Sequence, residues 1–191
     1  MTDVKILPLG RLMANCCLVT AGSGSAVVID PGGDPAPLIR YMEGRGLRCL
    51  AILLTHGHED HTEGVEALRQ ATGAPVLIGE KDAMRLKGKP DRLLNGGEQL
   101  TFGDISLEVI AAPGHTPGGV CYLTDGYLFA GDTLFRRSVG RTDLPGGDEQ
   151  TLFITLEKLV DRFGDSDVTV VPGHGMVTDF KYETENNPFL Q

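Results

Sequence analysis

The sequence predicts an α/β fold in which β-sheets are covered by helices on their outer faces, and three observations support this. Strand-like and helix-like stretches alternate in both halves of the chain, each half contributing strands and then a helix. The run at residues 49–54 is apolar almost throughout, as in a strand buried on both faces. Loops bearing histidine, aspartate and glycine directly follow the apolar runs, and loops at strand ends are where such folds carry chemistry. With 191 residues and 41% hydrophobic side chains, the chain is large enough for a sizeable core, read as one domain over residues 1–191.

Taken in order, residues 4–9 and 16–20 read as short strands separated by a turn region. Residues 26–30 make a third strand after a Gly-Ser turn, so the opening is expected to be antiparallel. A tight loop at 31–34 leads into a helix with Asp34 as its N-cap and Pro35 at its first position, running to Arg45 and stopped by Gly46. After the strand at 49–54, Asp60 or Thr62 is placed as the cap of a helix that turns Val65 and Leu68 inward and ends at Gly73. Residues 75–78 return as a strand, and the polar stretch 80–97 reads as a short helix and a loop. Strands follow at 99–102 and 105–111. Residues 120–130 form the strongest hairpin signal, because a two-residue turn at Asp125 and Gly126 needs positive φ, which both tolerate. A helix from about Asp148 to Phe163 carries Leu152, Leu156, Leu159 and Phe163 on one stripe, before a strand at 168–171 and a short terminal helix.

Composition narrows the partners. A formal net charge of -9 argues against a nucleic-acid backbone or an anionic membrane, since a polyanion would be repelled, and favours small metabolites. Polar residues interrupt the N-terminal apolar stretch, so neither a signal-peptide core nor a membrane span is expected, and the protein is placed in the cytoplasm. Cys16, Cys17, Cys49 and Cys121 lack C-x-x-C or zinc-finger spacing and read as small buried hydrophobes. The oligomeric state is not legible.

The chemistry concentrates in T-H-G-H-E-D-H at residues 55–61, which places three imidazoles and a carboxylate where an apolar run becomes a loop. Neutral imidazole nitrogen and ionised carboxylate oxygen are ligands of zinc and its neighbours. The remaining histidines, His115 and His174, each follow an apolar strand, as does Asp132. Alternate residues of an extended chain point the same way, so His56 and His58 can approach one ion, whereas Asp60 and His61 lie where the backbone turns into a helix. The expected partition is therefore two ions: one on His56, His58 and His115, the other on Asp60, His61 and His174, with Asp132 bridging. Arg136, Arg137 and Arg141 form a basic cluster soon after Asp132, and Arg141 is a candidate for holding a substrate carboxylate. The competing reading pairs Arg141 with Asp143 as a loop-ordering contact.

The H-x-H-x-D-H of His56 to His61, with His115, Asp132 and His174 in that order, resembles the metallo-β-lactamase superfamily over nearly the whole chain. The resemblance implies an αββα sandwich, two mixed sheets face to face with helices outside, and a dinuclear centre at one sheet edge. Secreted β-lactamases generally carry cysteine or another residue where this chain has Asp132, which argues against antibiotic hydrolysis. The stretch from Gly140 to Asp143, with Gly146, Gly147 and Asp148, looks most like short glyoxalase-II-like hydrolases lacking the C-terminal helical domain. That implies a cytoplasmic metallo-hydrolase that cleaves a small-molecule, hydroxyacylglutathione-type thioester by attack of a metal-bridging hydroxide, with Asp60 orienting it. The implied cofactors are two divalent ions, zinc first, with iron or manganese as alternatives. Two other readings stand beside it: a persulfide dioxygenase with one iron on His56, His115 and Asp132, and a non-catalytic metal-binding interaction module with a closed site.

Overall fold

The computed structural model describes residues 2–191 as two mixed six-stranded sheets packed face to face with helices outside. Strands β1 (Asp3–Leu9), β2 (Ala14–Thr20) and β3 (Ser25–Ile29) form the antiparallel opening. Helix α1 (Ala36–Glu43) then carries the chain to β4 (Arg48–Leu53), parallel to β3. Beyond the short helix α2 (Glu59–Thr62) and α3 (Val65–Thr72), strand β5 (Val76–Gly79) adds in parallel, and β6 (Arg92–Leu94) closes the first sheet in the order β1-β2-β3-β4-β5-β6.

The second sheet runs from β7 (Gln99–Phe102) through β8 (Ile105–Ala111), β9 (Val120–Thr124) and β10 (Tyr127–Gly131) as an antiparallel meander. A small hairpin, β11 (Leu134–Phe135) and β12 (Ser138–Val139), leads to helix α4 (Glu149–Phe163). Strand β13 (Thr169–Pro172) then pairs in parallel with β10, and β14 (Thr178–Asp179) and helix α5 (Phe180–Asn186) end the chain. Among the described residues, no helix is long and apolar enough to cross a membrane.

Side-chain alternation explains the layers. On β2, Cys17 and Val19 enter the core between the sheets, while Cys16 and Leu18 join Leu38, Met42 and Leu68 under α1 and α3. On β9, Val120 and Tyr122 face between the sheets, while Cys121 packs with the α4 stripe of Leu152, Leu156, Leu159 and Phe163. Each of those leucines contributes about 1.5–3 kcal/mol by leaving water. The Asp148 side chain caps α4 by accepting from the Thr151 N–H at 2.7 Å. The Asp125-Gly126 turn adopts positive φ at both residues, as its composition requires.

Several local expectations shift. Pro35, not Asp34, is the N-cap of α1; Asp34 instead accepts from the Ala36 N–H with Oδ1, and the helix stops at Glu43. Neither Asp60 nor Thr62 caps the helix that carries Val65 and Leu68: Gly64 is the N-cap of α3, and its N–H donates to the Pro31 carbonyl. The motif forms a separate short helix, α2, with His58 at its N-cap position, so Asp60 and His61 lie in the first turn of α2. The stretch 80–97 holds a 3₁₀ helix, Glu80–Arg85, and the unforeseen β6, whose pairing is dictated by β5 rather than by its own three residues. The β11–β12 hairpin and β14 are likewise two-residue strands below the length at which periodicity speaks.

At one edge the two sheets are laced together. Val120 N–H donates to the Thr55 carbonyl, the fully buried Tyr122 hydroxyl donates to the Leu54 carbonyl at 2.8 Å, and Asn15 Nδ2 donates to the carbonyls of Pro172 and Gly175. The loops after β4, β8, β10 and β13 therefore converge.

Candidate metal centre

Those loops bring six donor residues into two groups. The ring nitrogens of His56, His58 and His115 form one, and the donor atoms of Asp60, His61 and His174 form the other, each set lying within 4.8 Å. Asp132, at the end of β10, lies between them: its Oδ1 is 3.3 Å from His61 Nε2, and its Oδ2 is 3.5 Å from His115 Nε2 and 3.7 Å from His174 Nε2. Gly173 permits this approach, because a Cβ there would sit 2.1 Å from Asp132 Oδ1.

Hydrogen bonds on the outer ring nitrogens aim the inner ones. His115 Nδ1 donates to the Arg141 carbonyl at 2.7 Å, His174 Nδ1 to the Leu12 carbonyl at 3.0 Å, and His61 Nδ1 to Asp30 Oδ2 at 3.0 Å. The Thr55 hydroxyl donates to Asp30 Oδ2 at 2.6 Å and so is left to accept from His56 Nδ1 at 3.1 Å. In all four rings Nδ1 is thereby engaged from outside and Nε2 faces inward, where a bound cation would take its lone pair in place of a proton. Asp30 is the residue that sequence reasoning missed: buried at the end of β3, it also accepts from the Thr55 N–H at 2.8 Å and anchors His56 and His61 together. A carboxylate closing an apolar strand, as Asp132 also does, was its only signal.

The donors fit a divalent ion. Inner nitrogens lie 2.9 Å apart between His58 and His115 and 3.2 Å apart between His61 and His174. A tetrahedral zinc with bonds of about 2.0–2.1 Å places its ligand atoms about 3.3 Å apart. His56 Nε2 and Asp132 Oδ1 are buried without a hydrogen-bond partner, which a cation would supply.

The two groups differ in charge. Burial, then the neighbouring His61 and His115 rings, push the His56 pKa well below its ordinary value. His58 is lowered by burial, His115 and Arg85. Against burial, which would lower it, the Asp132 and Asp30 carboxylates raise His61 to about 10. A hydrogen bond with Asp60 raises His174. Asp60 falls to about 2 although burial opposes this, through His174 and the charge of His61. Asp132 is also lowered despite burial, chiefly by His61. A proton on His61 thus occupies the electrostatic place of a cation among three carboxylates.

Arg141 reaches the centre through its main chain. Its exposed guanidinium makes a bidentate pair with Asp143, at 2.6 and 2.7 Å, the loop-ordering contact.

This arrangement is that of a known class. The family model of the metallo-beta-lactamase superfamily matches residues 9–174, and the chain belongs to that superfamily of metal-dependent hydrolases. Among its relatives, hydroxyacylglutathione hydrolase GloC of Haemophilus influenzae is 33% identical over 98% of both chains. The crystal structure of BLEG-1 B3 metallo-beta-lactamase is 34% identical, superposes with a TM-score of 0.93, and is matched over 98% of this chain and 99% of its own. That of TTHA1623 in a di-iron-bound form is 40% identical, with a TM-score of 0.85 over 98% of this chain and 100% of its own.

Proposed function

We propose that this protein is a thioesterase that hydrolyses a small-molecule, hydroxyacylglutathione-type thioester at a two-metal centre, zinc being the first candidate. The observation that carries it is the meeting of two three-donor groups at one carboxylate, Asp132, and similarity to GloC along the full chain supports the substrate class. His56, His58 and His115 would hold one ion, Asp60, His61 and His174 the second, and Asp132 both. Such ions supply a hydroxide at neutral pH and polarise the acyl oxygen.

The chain's own groups do the rest. Asp60 turns Oδ2 toward His174 Nε2, at 3.1 Å, and its carboxylate would orient the attacking water by accepting a hydrogen bond from it. The Asp30 and Thr55 relay keeps the His56 and His61 lone pairs directed inward throughout. A thiol of pKa about 8.5 leaves as thiolate, so no side chain is required as general acid. The four cysteines are free and buried, which suits a reducing compartment, and we place the enzyme in the cytoplasm on that ground. A net charge of -9 disfavours nucleic acid and anionic membrane as partners.

The test pairs metal analysis of protein purified without added metal with three assays: thioester hydrolysis, β-lactam hydrolysis and persulfide-dependent oxygen uptake. Two ions with thioester hydrolysis predominating is the expected result. One iron with oxygen uptake, faster cleavage of a β-lactam, or metal bound without any of the three activities would each overturn the proposal.

A further inference from the structure

Asp82 lies in the 3₁₀ helix at Glu80–Arg85, outside both donor groups, and its side chain is fully buried. Its two oxygens are divided between two loops. Oδ2 accepts from the Gly57 N–H and Oδ1 from the Gly118 N–H, both at 2.9 Å. Gly57 sits between His56 and His58, and Gly118 lies in the loop that follows His115, so one carboxylate spans the backbone segments that deliver all three imidazoles of the first group.

The surroundings are built for this contact. A Cβ on Gly118 would lie 2.4 Å from Asp82 N and 2.8 Å from Asp82 Cβ, so only glycine lets this loop approach. Arg85 balances the buried charge, with Nε 3.8 Å from Asp82 Oδ1, and its guanidinium also donates to the Pro145 carbonyl. Charge-assisted bonds from a buried carboxylate are stronger than neutral ones and fix geometry.

We propose that Asp82 is a positioning residue for the group formed by His56, His58 and His115. It clamps the two loops at the spacing a cation needs before the cation arrives, and so sets the metal affinity of this group and not that of Asp60, His61 and His174. The inference rests on the metal-binding reading above. An ordered loop loses less freedom on binding, which is why the effect falls on affinity. Asparagine at position 82 has one acceptor oxygen, and its amide group would face one of the two backbone N–H groups donor to donor, releasing that loop.

The test is a zinc titration of metal-free protein against a competing chelator, with the ¹⁵N shifts of the histidine rings assigning each binding step. In Asp82→Asn, the step reported by His56, His58 and His115 should weaken by about 10- to 100-fold, while that reported by His61 and His174 stays within about twofold. No change in either step, or equal weakening of both, would overturn the proposal. Should the variant not fold, amide exchange in the wild-type chain decides. Gly57 and Gly118 N–H protons equally protected with and without zinc support the clamp; protection that appears only with zinc refutes it. Wild-type rings of His56, His58 and His115 that ignore zinc would overturn the metal reading and this role together, and that outcome is separable because it appears before any substitution.

Discussion

The two donor groups are separated by a single carboxylate yet are electrostatic opposites. In the first, burial and neighbouring rings depress His56 and His58, so neither favours the charged form that a metal would have to displace. The second is crowded by Asp30, Asp60 and Asp132, which raise His61 and His174. One class of ligand can thus be tuned in two directions within one site by placing the carboxylates on one side of it. Metal should enter the first group with a weaker pH dependence than the second, where it competes with protons on His61 and His174.

The largest expected effect comes from removing the residue the groups share. Asp132→Ala should lower both metal content and turnover by more than the roughly 10- to 100-fold typical of a residue that only supports a ligand. Metal analysis and thioester kinetics check this, and a variant with full activity and two bound ions would remove Asp132 from the centre.

The pH dependence sharpens the contrast. In metal-free protein the folded-state pKa of His61 is raised from 6.5 to about 10, so its stabilisation is fully present below 6.5 and lost as pH rises toward 10. Asp60, lowered from 3.8 to about 2, contributes stability above 3.8 that is lost as pH falls through 2. Denaturant melts of the metal-free chain should therefore decline on the alkaline side between those His61 values, and saturating zinc should abolish that decline by replacing the proton. An alkaline limb unchanged by zinc would place the metal elsewhere.

The smallest effect is expected at Arg141. Its paired, exposed side chain predicts that Arg141→Ala leaves metal content intact and shifts KM by less than about threefold, since surface ion pairs contribute little. The carbonyl that His115 needs is present in any residue. A larger rise in KM for an anionic substrate would return the guanidinium to substrate binding.

The hairpin at Asp125 and Gly126, the α4 stripe and the continuous β4 run were legible because each is specified locally, by turn conformation, helical period or burial on both faces. Helix α1 began one residue late and α2 was capped by His58, because caps depend on where the loop enters. The short β6, β11, β12 and β14 were illegible, since strands this brief take their conformation from a partner.

The same division runs through the centre. The sequence by itself determined the crowding of His56, His58, Asp60 and His61, and the placement of His115, Asp132 and His174 after apolar strands, because those are properties of local chain and composition. Only the tertiary structure decided which donors face one another, and that Asp30 and Asp82 hold them there. Both are buried carboxylates whose hydrogen-bond partners lie 25 or more residues away. The meaning of a buried charge resides in the groups that fold around it, and those partners meet only when the two sheets close.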